Sequence, residues 1–164
     1  MTDERSVTER LLTLLRENHA DFVSMTHDPV RTSEEAAQVR GTPLEQGAKA
    51  LVYRADGRPV LLVLQANRRV NSRAVKQALG VKDVRMVSPD DLHEMTGLEV
   101  GAVPPFGSLL GLPVYVDERL LDLPRISFNA GSRTTSVVMA PGDYQRLEQP
   151  TSGKFASDDE PDHQ

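Results

Sequence analysis

The sequence predicts an α+β fold in which a mixed, largely antiparallel sheet is flanked by helices. Two apolar runs, at residues 48–53 and 59–64, flank the dipeptide Asp56-Gly57, which is the strongest signal of a β-hairpin in the chain. Helical patterns stand between groups of strands and do not alternate with single strands, so the order differs from the regular βαβ repeat of a parallel sheet.

Each element is predicted from its apolar spacing and from the residues at its ends. Residues 7–18 repeat apolar residues at helical spacing, and Ser6 with Glu9 forms a capping box at their start. Residues 22–27 alternate as a strand does, and Pro29 ends that strand. The same signals predict helices at residues 32–39, 72–79 and 141–147 and one that begins at residue 88, with short strands at 84–87, 114–116, 126–128 and 136–139.

The length of 164 residues fits one domain with a sizeable core. We expect this domain to span residues 1–149, because neither a repeat nor a linker interrupts that range. Residues 150–164 are polar and carry one lysine against four acidic residues, so we expect an acidic, disordered tail there.

Composition excludes several classes of function. The absence of cysteine removes disulfides, thiolate catalysis and the usual structural zinc sites, and the four histidines fall in separate elements. A net charge of −5 argues against sequence-independent binding to nucleic acid. The chain shows no secretory pattern and no apolar run near the roughly 18 residues of a membrane span, so we expect a cytoplasmic protein without a membrane partner.

A local basic stretch departs from the acidic average. It comprises Arg68, Arg69, Arg73 and Lys76. The stretch is either a solvated helix face or a contact surface for a polyanion such as tRNA, and the sequence leaves both interpretations open.

The common nucleotide and hydrolase motifs are absent. Residues 41–50 differ from a P-loop because five residues separate the two glycines and because Lys49 does not directly follow the second of them. The later glycines do not have dinucleotide-binding spacing, and no G-x-S-x-G elbow occurs. We therefore expect neither a cofactor nor a bound metal.

Two features remain as candidates for a site. Lys49 lies in the otherwise apolar run 48–53, where it is either a solvent-facing lysine on an edge strand or a cation that grips a phosphate or carboxylate. Residues 97–107, here called the Gly101 loop, contain three glycines and two prolines. This loop is either a structural crossover or a rigid cradle whose backbone faces a substrate.

These features together resemble the YbaK family, also called the prolyl-tRNA synthetase-associated or editing-insertion family. The resemblance covers roughly residues 7–147. Three segments carry it: Ala-Lys-Ala-Leu-Val at 48–52, Thr-Gly-Leu-Glu-Val-Gly-Ala-Val-Pro-Pro-Phe-Gly at 96–107, and Ser-Phe-Asn-Ala-Gly at 127–131.

The resemblance implies a free-standing deacylase that hydrolyses the ester between a wrong amino acid and the terminal adenosine of tRNA. Mischarged tRNA is then the expected partner, and an aminoacyl-tRNA synthetase is a second candidate partner. The free hydroxyl of the terminal ribose assists the water in this family, so no protein general base is implied.

The same resemblance implies a set of site residues. Lys49 falls on the essential lysine of the family, which is inferred to hold the terminal phosphate, and Gly101 begins a loop that lines the amino-acid pocket through its backbone. Lys49 and Gly101 are thus the expected catalytic residues, and the expected substrate-binding residues are Ala102, Val103, Pro104, Pro105, Asn129, Gly131, Ser136 and His27.

Departures from the family pattern leave the substrate open. Ala50 stands where some relatives have a polar residue, and Ser136 stands near an aspartate of relatives that act on cysteinyl-tRNA. Ala102 and Val103 suggest a small apolar pocket, which favours a small amino acid such as alanine. Two other classes of function stay in view, namely a non-catalytic domain that binds tRNA or an amino acid and a protein-interaction module that uses the acidic tail.

Overall fold

In a computed structural model, which describes residues 5–157, the predicted helices and strands occur in the expected order, and a short helix at 118–121 and a short strand at 151–153 are additional. The helices are α1 (Val7–Glu17), α2 (Ser33–Arg40), α3 (Ser72–Leu79), α4 (Pro89–Thr96), α5 (Glu118–Leu121) and α6 (Pro141–Glu148). The strands are β1 (Phe22–Thr26), β2 (Ala48–Ala55), β3 (Arg58–Gln65), β4 (Val84–Met86), β5 (Val114–Asp117), β6 (Ile126–Asn129), β7 (Thr135–Met139) and β8 (Thr151–Gly153).

The strands form two sheets, and antiparallel pairing predominates. A five-stranded sheet has the order β4-β2-β3-β5-β8, in which β2 pairs antiparallel with β3 and β4 while β5 pairs parallel with β3 and β8. A three-stranded antiparallel sheet has the order β1-β7-β6. The predicted α+β fold with a mixed, largely antiparallel sheet is therefore confirmed.

The predicted hairpin forms the centre of the larger sheet. Asp56 and Gly57 adopt φ values of 47° and 83°, the left-handed pair that a two-residue hairpin turn needs. The strands extend to the turn itself, and their register places Lys49 opposite Leu64. Lys49 consequently lies near the end of the hairpin that is remote from the turn.

Strand β3 is buried on both faces because it separates two apolar clusters. Leu61 and Val63 point into the main core with α1, β6 and β7, whereas Val60 and Leu62 pack with Val75 on the opposite face. This alternation follows the two-residue period of a strand. It also explains why the sequence shows a continuous apolar run there.

The predicted domain boundary at residue 149 is wrong, since residues 151–157 belong to the fold. Strand β8 pairs with β5, and the side chain of Phe155 is only 2% exposed. The buried carboxylate of Asp117 accepts hydrogen bonds from the backbone N–H groups of Phe155 at 2.9 Å and Ala156 at 2.8 Å. The acidic composition that suggested a tail comes from residues 158–164, which lie outside the described residues.

Among residues 5–157, no helix is long and apolar enough to cross a membrane.

Candidate active site

A cleft of about 220 Å³ opens where the start of β2 meets α2, the Gly101 loop and the end of β6. Because β2 belongs to the five-stranded sheet and β6 to the three-stranded sheet, both sheets contribute to its walls. The side chains that matter for its chemistry are those of Arg40, Lys49, Val103 and Asn129, together with the backbone of Gly101.

Lys49 brings a partly buried cation into this cleft. Burial lowers the pKa of its ammonium group, the nearby charge of Arg69 lowers it further, and Glu34 acts in the opposite direction. Within residues 5–157, the ammonium has neither a hydrogen bond nor an ion pair. A desolvated cation without a protein partner favours an anionic ligand such as a phosphate.

The Gly101 loop forms the facing wall. Gly101 has a φ of 87°, a conformation that residues with a Cβ rarely adopt, and it lines the cleft together with Val103. The backbone N–H groups of Gly101 and Val103 make no hydrogen bond within the described part of the chain. Unpaired N–H groups beside a cleft are available to an oxygen atom of a ligand.

A small apolar recess of about 40 Å³ continues from the cleft. It shares Ala50, Leu51 and the Gly101 loop with the main cleft, and Val87 and Leu92 form its far side. The size of this recess suits a small side chain.

The three other predicted site residues of the loop lie behind this wall. Ala102, Pro104 and Pro105 are buried and do not line the cleft. The carbonyl oxygen of Pro105 accepts a hydrogen bond of 2.8 Å from the buried hydroxyl of Tyr144, so this part of the backbone faces the core. These three residues support the loop from inside the fold.

Gly131 is also remote from the cleft lining. Its φ is 82°, and a Cβ at this position would lie 3.1 Å from the backbone nitrogen of Thr8 and 3.1 Å from a methyl group of Val7. Close approach to the start of α1 therefore explains this glycine. Gly131 does not line the cleft, so this position does not support the predicted contact with the substrate.

Asn129 joins the cleft to a hydrogen-bonded chain behind it. Its Nδ2 donates to the carbonyl oxygen of Gly101 at 2.6 Å, and its Oδ1 accepts from Nη2 of Arg40 at 2.7 Å. Nε of Arg40 donates to Oγ of Ser136 at 2.9 Å, and that hydroxyl lies 2.8 Å from Nε2 of His27. Ser136 and His27, both predicted as substrate-binding residues, do not line the cleft. They connect to it through Arg40 and through a longer contact of 3.4 Å from the hydroxyl of Ser136 to Oδ1 of Asn129.

Arg40 is a functional candidate that sequence reasoning missed. Burial lowers the pKa of its guanidinium to about 10, and no carboxylate lies within ion-pair distance in the part of the chain that the structure describes. Its position in the last turn of α2, directly before Gly41, suits an ordinary basic residue at a helix end. What distinguishes Arg40 from an ordinary residue at a helix end is its contact with Asn129 and Ser136, which are distant in the sequence.

Residues 27–147 match the model of the aminoacyl-tRNA editing domain. The chain belongs to this family. This confirms the resemblance inferred from the segments around Lys49, the Gly101 loop and Asn129. Among residues 5–157, no group of three or more histidine, aspartate or glutamate side chains could hold a metal ion.

Individual proteins are similar to this chain over nearly its whole length or over part of it. The Multifunctional Ser/Thr-tRNA deacylase ProXp-y of Escherichia coli K12 is 37% identical over 156 residues, which cover 92% of this chain and 93% of that protein. A proline–tRNA ligase of Acidithiobacillus ferrooxidans is 31% identical over 103 residues, which cover 63% of this chain but 18% of the ligase. A crystal structure described as a candidate trans-editing enzyme for prolyl-tRNA synthetase superposes with a TM-score of 0.79 at 25% identity, covering 94% of this chain and 99% of the other.

Proposed function

We propose that this editing-domain protein is a trans-editing deacylase that hydrolyses the ester bond of mischarged aminoacyl-tRNA in the cleft around Lys49. The family and the near full-length similarity to a tRNA deacylase support the class of reaction. One observation carries the assignment to this cleft. The partly buried ammonium of Lys49, which has no ion pair in the described residues, faces the same cleft as the N–H groups of Gly101 and Val103, which have no hydrogen bond there.

Lys49 binds the substrate and performs no proton transfer in this proposal. Its ammonium is a compact point charge, which suits a phosphate group of the terminal adenosine. Because the side chain is partly buried, its attraction for the phosphate is less screened than that of an exposed lysine. Binding at this point places the ester bond against the Gly101 loop.

The Gly101 loop stabilises the charge that develops during hydrolysis. Water attacks the ester carbonyl carbon, and the carbonyl oxygen becomes an oxyanion that the N–H groups of Gly101 and Val103 stabilise. The bond to the ribose oxygen then breaks, and that oxygen takes a proton as the free amino acid leaves. An aminoacyl ester is already reactive, so positioning and oxyanion stabilisation supply the acceleration without a protein base.

The substrate amino acid in this proposal has a small side chain. The apolar recess beyond Ala50 and Val103 holds only a small group. The Escherichia coli relative is named for seryl- and threonyl-tRNA, and the buried Ala102 and Val103 had suggested alanine. We therefore place serine, threonine and alanine first among the candidates.

The polynucleotide lies along the basic surface that leads away from Lys49. Ala66 lines the cleft, and the chain continues from it through Arg69 to α3 and Arg73. Both arginines are exposed, and Arg69 is near enough to Lys49 to lower its pKa. We assign the phosphates next to the terminal adenosine to this surface, and a synthetase is a candidate partner that delivers the tRNA.

A deacylation panel tests this function. Purified protein is incubated with seryl-, threonyl-, alanyl- and cysteinyl-tRNA, and the loss of esterified amino acid is followed against the uncatalysed rate. We expect hydrolysis of at least one small aminoacyl-tRNA and its loss in Lys49→Ala. Hydrolysis of none of the panel would contradict the proposal.

A further inference from the structure

We propose that Arg40 is a positioning residue for the Gly101 loop, and that it acts through the side chain of Asn129. The inference rests on the proposed function of the cleft and assigns a role to a residue outside the implied site. Its basis is a continuous chain of directional hydrogen bonds that runs from the end of β1 to the carbonyl oxygen of Gly101.

Arg40 determines which way the amide of Asn129 faces. A guanidinium can only donate, and a backbone carbonyl can only accept. Oδ1 of Asn129 must therefore face Arg40, and its NH₂ group must face the carbonyl of Gly101. Without Arg40, Oδ1 of Asn129 keeps only the longer contact of 3.4 Å with the hydroxyl of Ser136, so the amide is held less firmly against the carbonyl of Gly101.

Arg40 is itself held from behind by Ser136 and His27. Nδ1 of His27 lies 2.8 Å from the carbonyl oxygen of Asp28, so this nitrogen carries the proton in the neutral ring. Nε2 of His27 then accepts from the hydroxyl of Ser136, which leaves the oxygen of Ser136 to accept from Nε of Arg40. Every group in the chain thus has one direction that satisfies its neighbours.

Stability alone gives no reason for a cation at this place. A partly buried guanidinium without a carboxylate loses hydration and gains no ion pair in return, which makes it unfavourable for folding. Residues 5–157 provide Arg40 with three side-chain oxygens, from Ser127, Ser136 and Asn129, of which Ser127 is distant at 3.5 Å. The arrangement instead fixes the position of Asn129.

Contacts with Arg133 hold the Gly101 loop independently of Asn129, so the role of Arg40 can be separated from the overall stability of the loop. Arg133 donates to the carbonyl oxygen of Val100 at 2.7 and 3.0 Å and pairs with Glu99 at 3.2 Å. These contacts of Arg133 should hold the loop in place when the hydrogen bond from Asn129 to Gly101 is lost. We therefore expect loss of Arg40 to shift the Gly101 peptide without releasing the whole loop.

A double-mutant cycle on catalysis tests this role. Arg40→Met, Asn129→Leu and the double variant are compared by kcat and KM on the best substrate of the deacylation panel, with unfolding temperatures as a check on folding. We expect each single variant to lose on the order of 100-fold in kcat, because the Gly101 peptide is displaced from the reacting ester. KM should change little. The kcat of the double variant should be no lower than that of the less active single variant, because both changes remove the same hydrogen bond between Arg40 and Asn129.

Asn129→Asp is the matched variant: it keeps the contact with Arg40, now as an ion pair, and replaces the donor to Gly101 by an oxygen that repels the carbonyl. It should unfold at or above the wild-type temperature and still lose catalysis, which a merely structural role for Arg40 would not produce. Arg85→Met is the control, since Arg85 is exposed on β4 and pairs only with Asp83 in the described residues.

A measurement without substrate separates this proposal from the function of the cleft. In ¹H–¹⁵N spectra, the amide signal of Gly101 should move in the same direction in Arg40→Met and Asn129→Asp, and it should stay unchanged in Arg85→Met. Independent, multiplying losses in the cycle, or an unmoved Gly101 signal in Arg40→Met, would overturn the role of Arg40. An inactive wild-type protein with the expected spectra would overturn the proposed function alone.

Discussion

The side-chain amide of Asn129 donates to the carbonyl oxygen of Gly101 over 2.6 Å, so the end of β6 holds the loop that lines the cleft. The two residues are 28 positions apart and belong to different parts of the fold. Their contact connects the Gly101 loop to β6 beside the cleft that Lys49 also lines.

Binding of tRNA should weaken at high pH because Lys49 must be charged to hold a phosphate. Burial and Arg69 lower the pKa of Lys49, so the charge is lost at a lower pH than in an exposed lysine. Affinity for an amide-linked aminoacyl-tRNA, which cannot be hydrolysed, should therefore be highest below that pKa and fall as the pH rises through it. In Lys49→Arg the fall should move to a higher pH, since a guanidinium has a higher pKa than an ammonium group; an identical fall in both proteins would assign it to another group.

The basic surface next to Lys49 should contribute to tRNA binding through phosphates. Arg69→Gln and Arg73→Gln should each raise KM several-fold and reduce the slope of log affinity against log salt by about 1, with kcat nearly unchanged. Arg58→Gln is the control, because Arg58 lies at the turn end of the β2–β3 hairpin, away from the cleft. Equal effects of all three changes would argue for a general charge effect.

Gly131→Ala should destabilise the fold without a specific effect on catalysis. The left-handed backbone and the contacts of a new Cβ with Thr8 and Val7 should lower the free energy of unfolding by about 1–2 kcal/mol. Gly142→Ala is the matched control, because a Cβ there has no neighbour within 4 Å. Chemical denaturation measures both; a selective loss of kcat in folded Gly131→Ala would instead place this residue in the site.

The segment after α6 should contribute to stability although the sequence resembles a tail. Phe155→Ala removes a buried ring from the cluster around Leu62 and Val75 and should cost about 3 kcal/mol in the free energy of unfolding. Lys154→Ala, at an exposed neighbouring position, should change it by less than about 0.5 kcal/mol. Equal stability of the two variants would restore the boundary at residue 149.

Local signals predicted most of the fold because they act within a few residues. Asp56-Gly57 defines its hairpin, and Ser88 caps α4 by accepting from the backbone of Asp91 at 3.2 Å. Strand β8 was missed because it is three residues long and has no apolar alternation. Its stability comes from Phe155 and Asp117, whose contact no local pattern encodes.

The site was predictable only in part, for the same physical reason. Lys49 stood out because a charge interrupts an apolar strand, and the Gly101 loop stood out by its composition. Arg40 gave no such signal, since its contact with Ser136 spans 96 positions of the sequence. The roles of Ser136 and His27 likewise depend on a neighbour that only the folded chain supplies.

Deacylation of seryl-, threonyl- and alanyl-tRNA by the wild-type protein and by Lys49→Ala under identical conditions tests whether Lys49 is required for hydrolysis in this cleft. We expect hydrolysis of at least one of them by the wild type. We also expect a loss on the order of 100-fold or more in Lys49→Ala, at an unchanged unfolding temperature. Full activity of a folded Lys49→Ala protein would contradict this requirement.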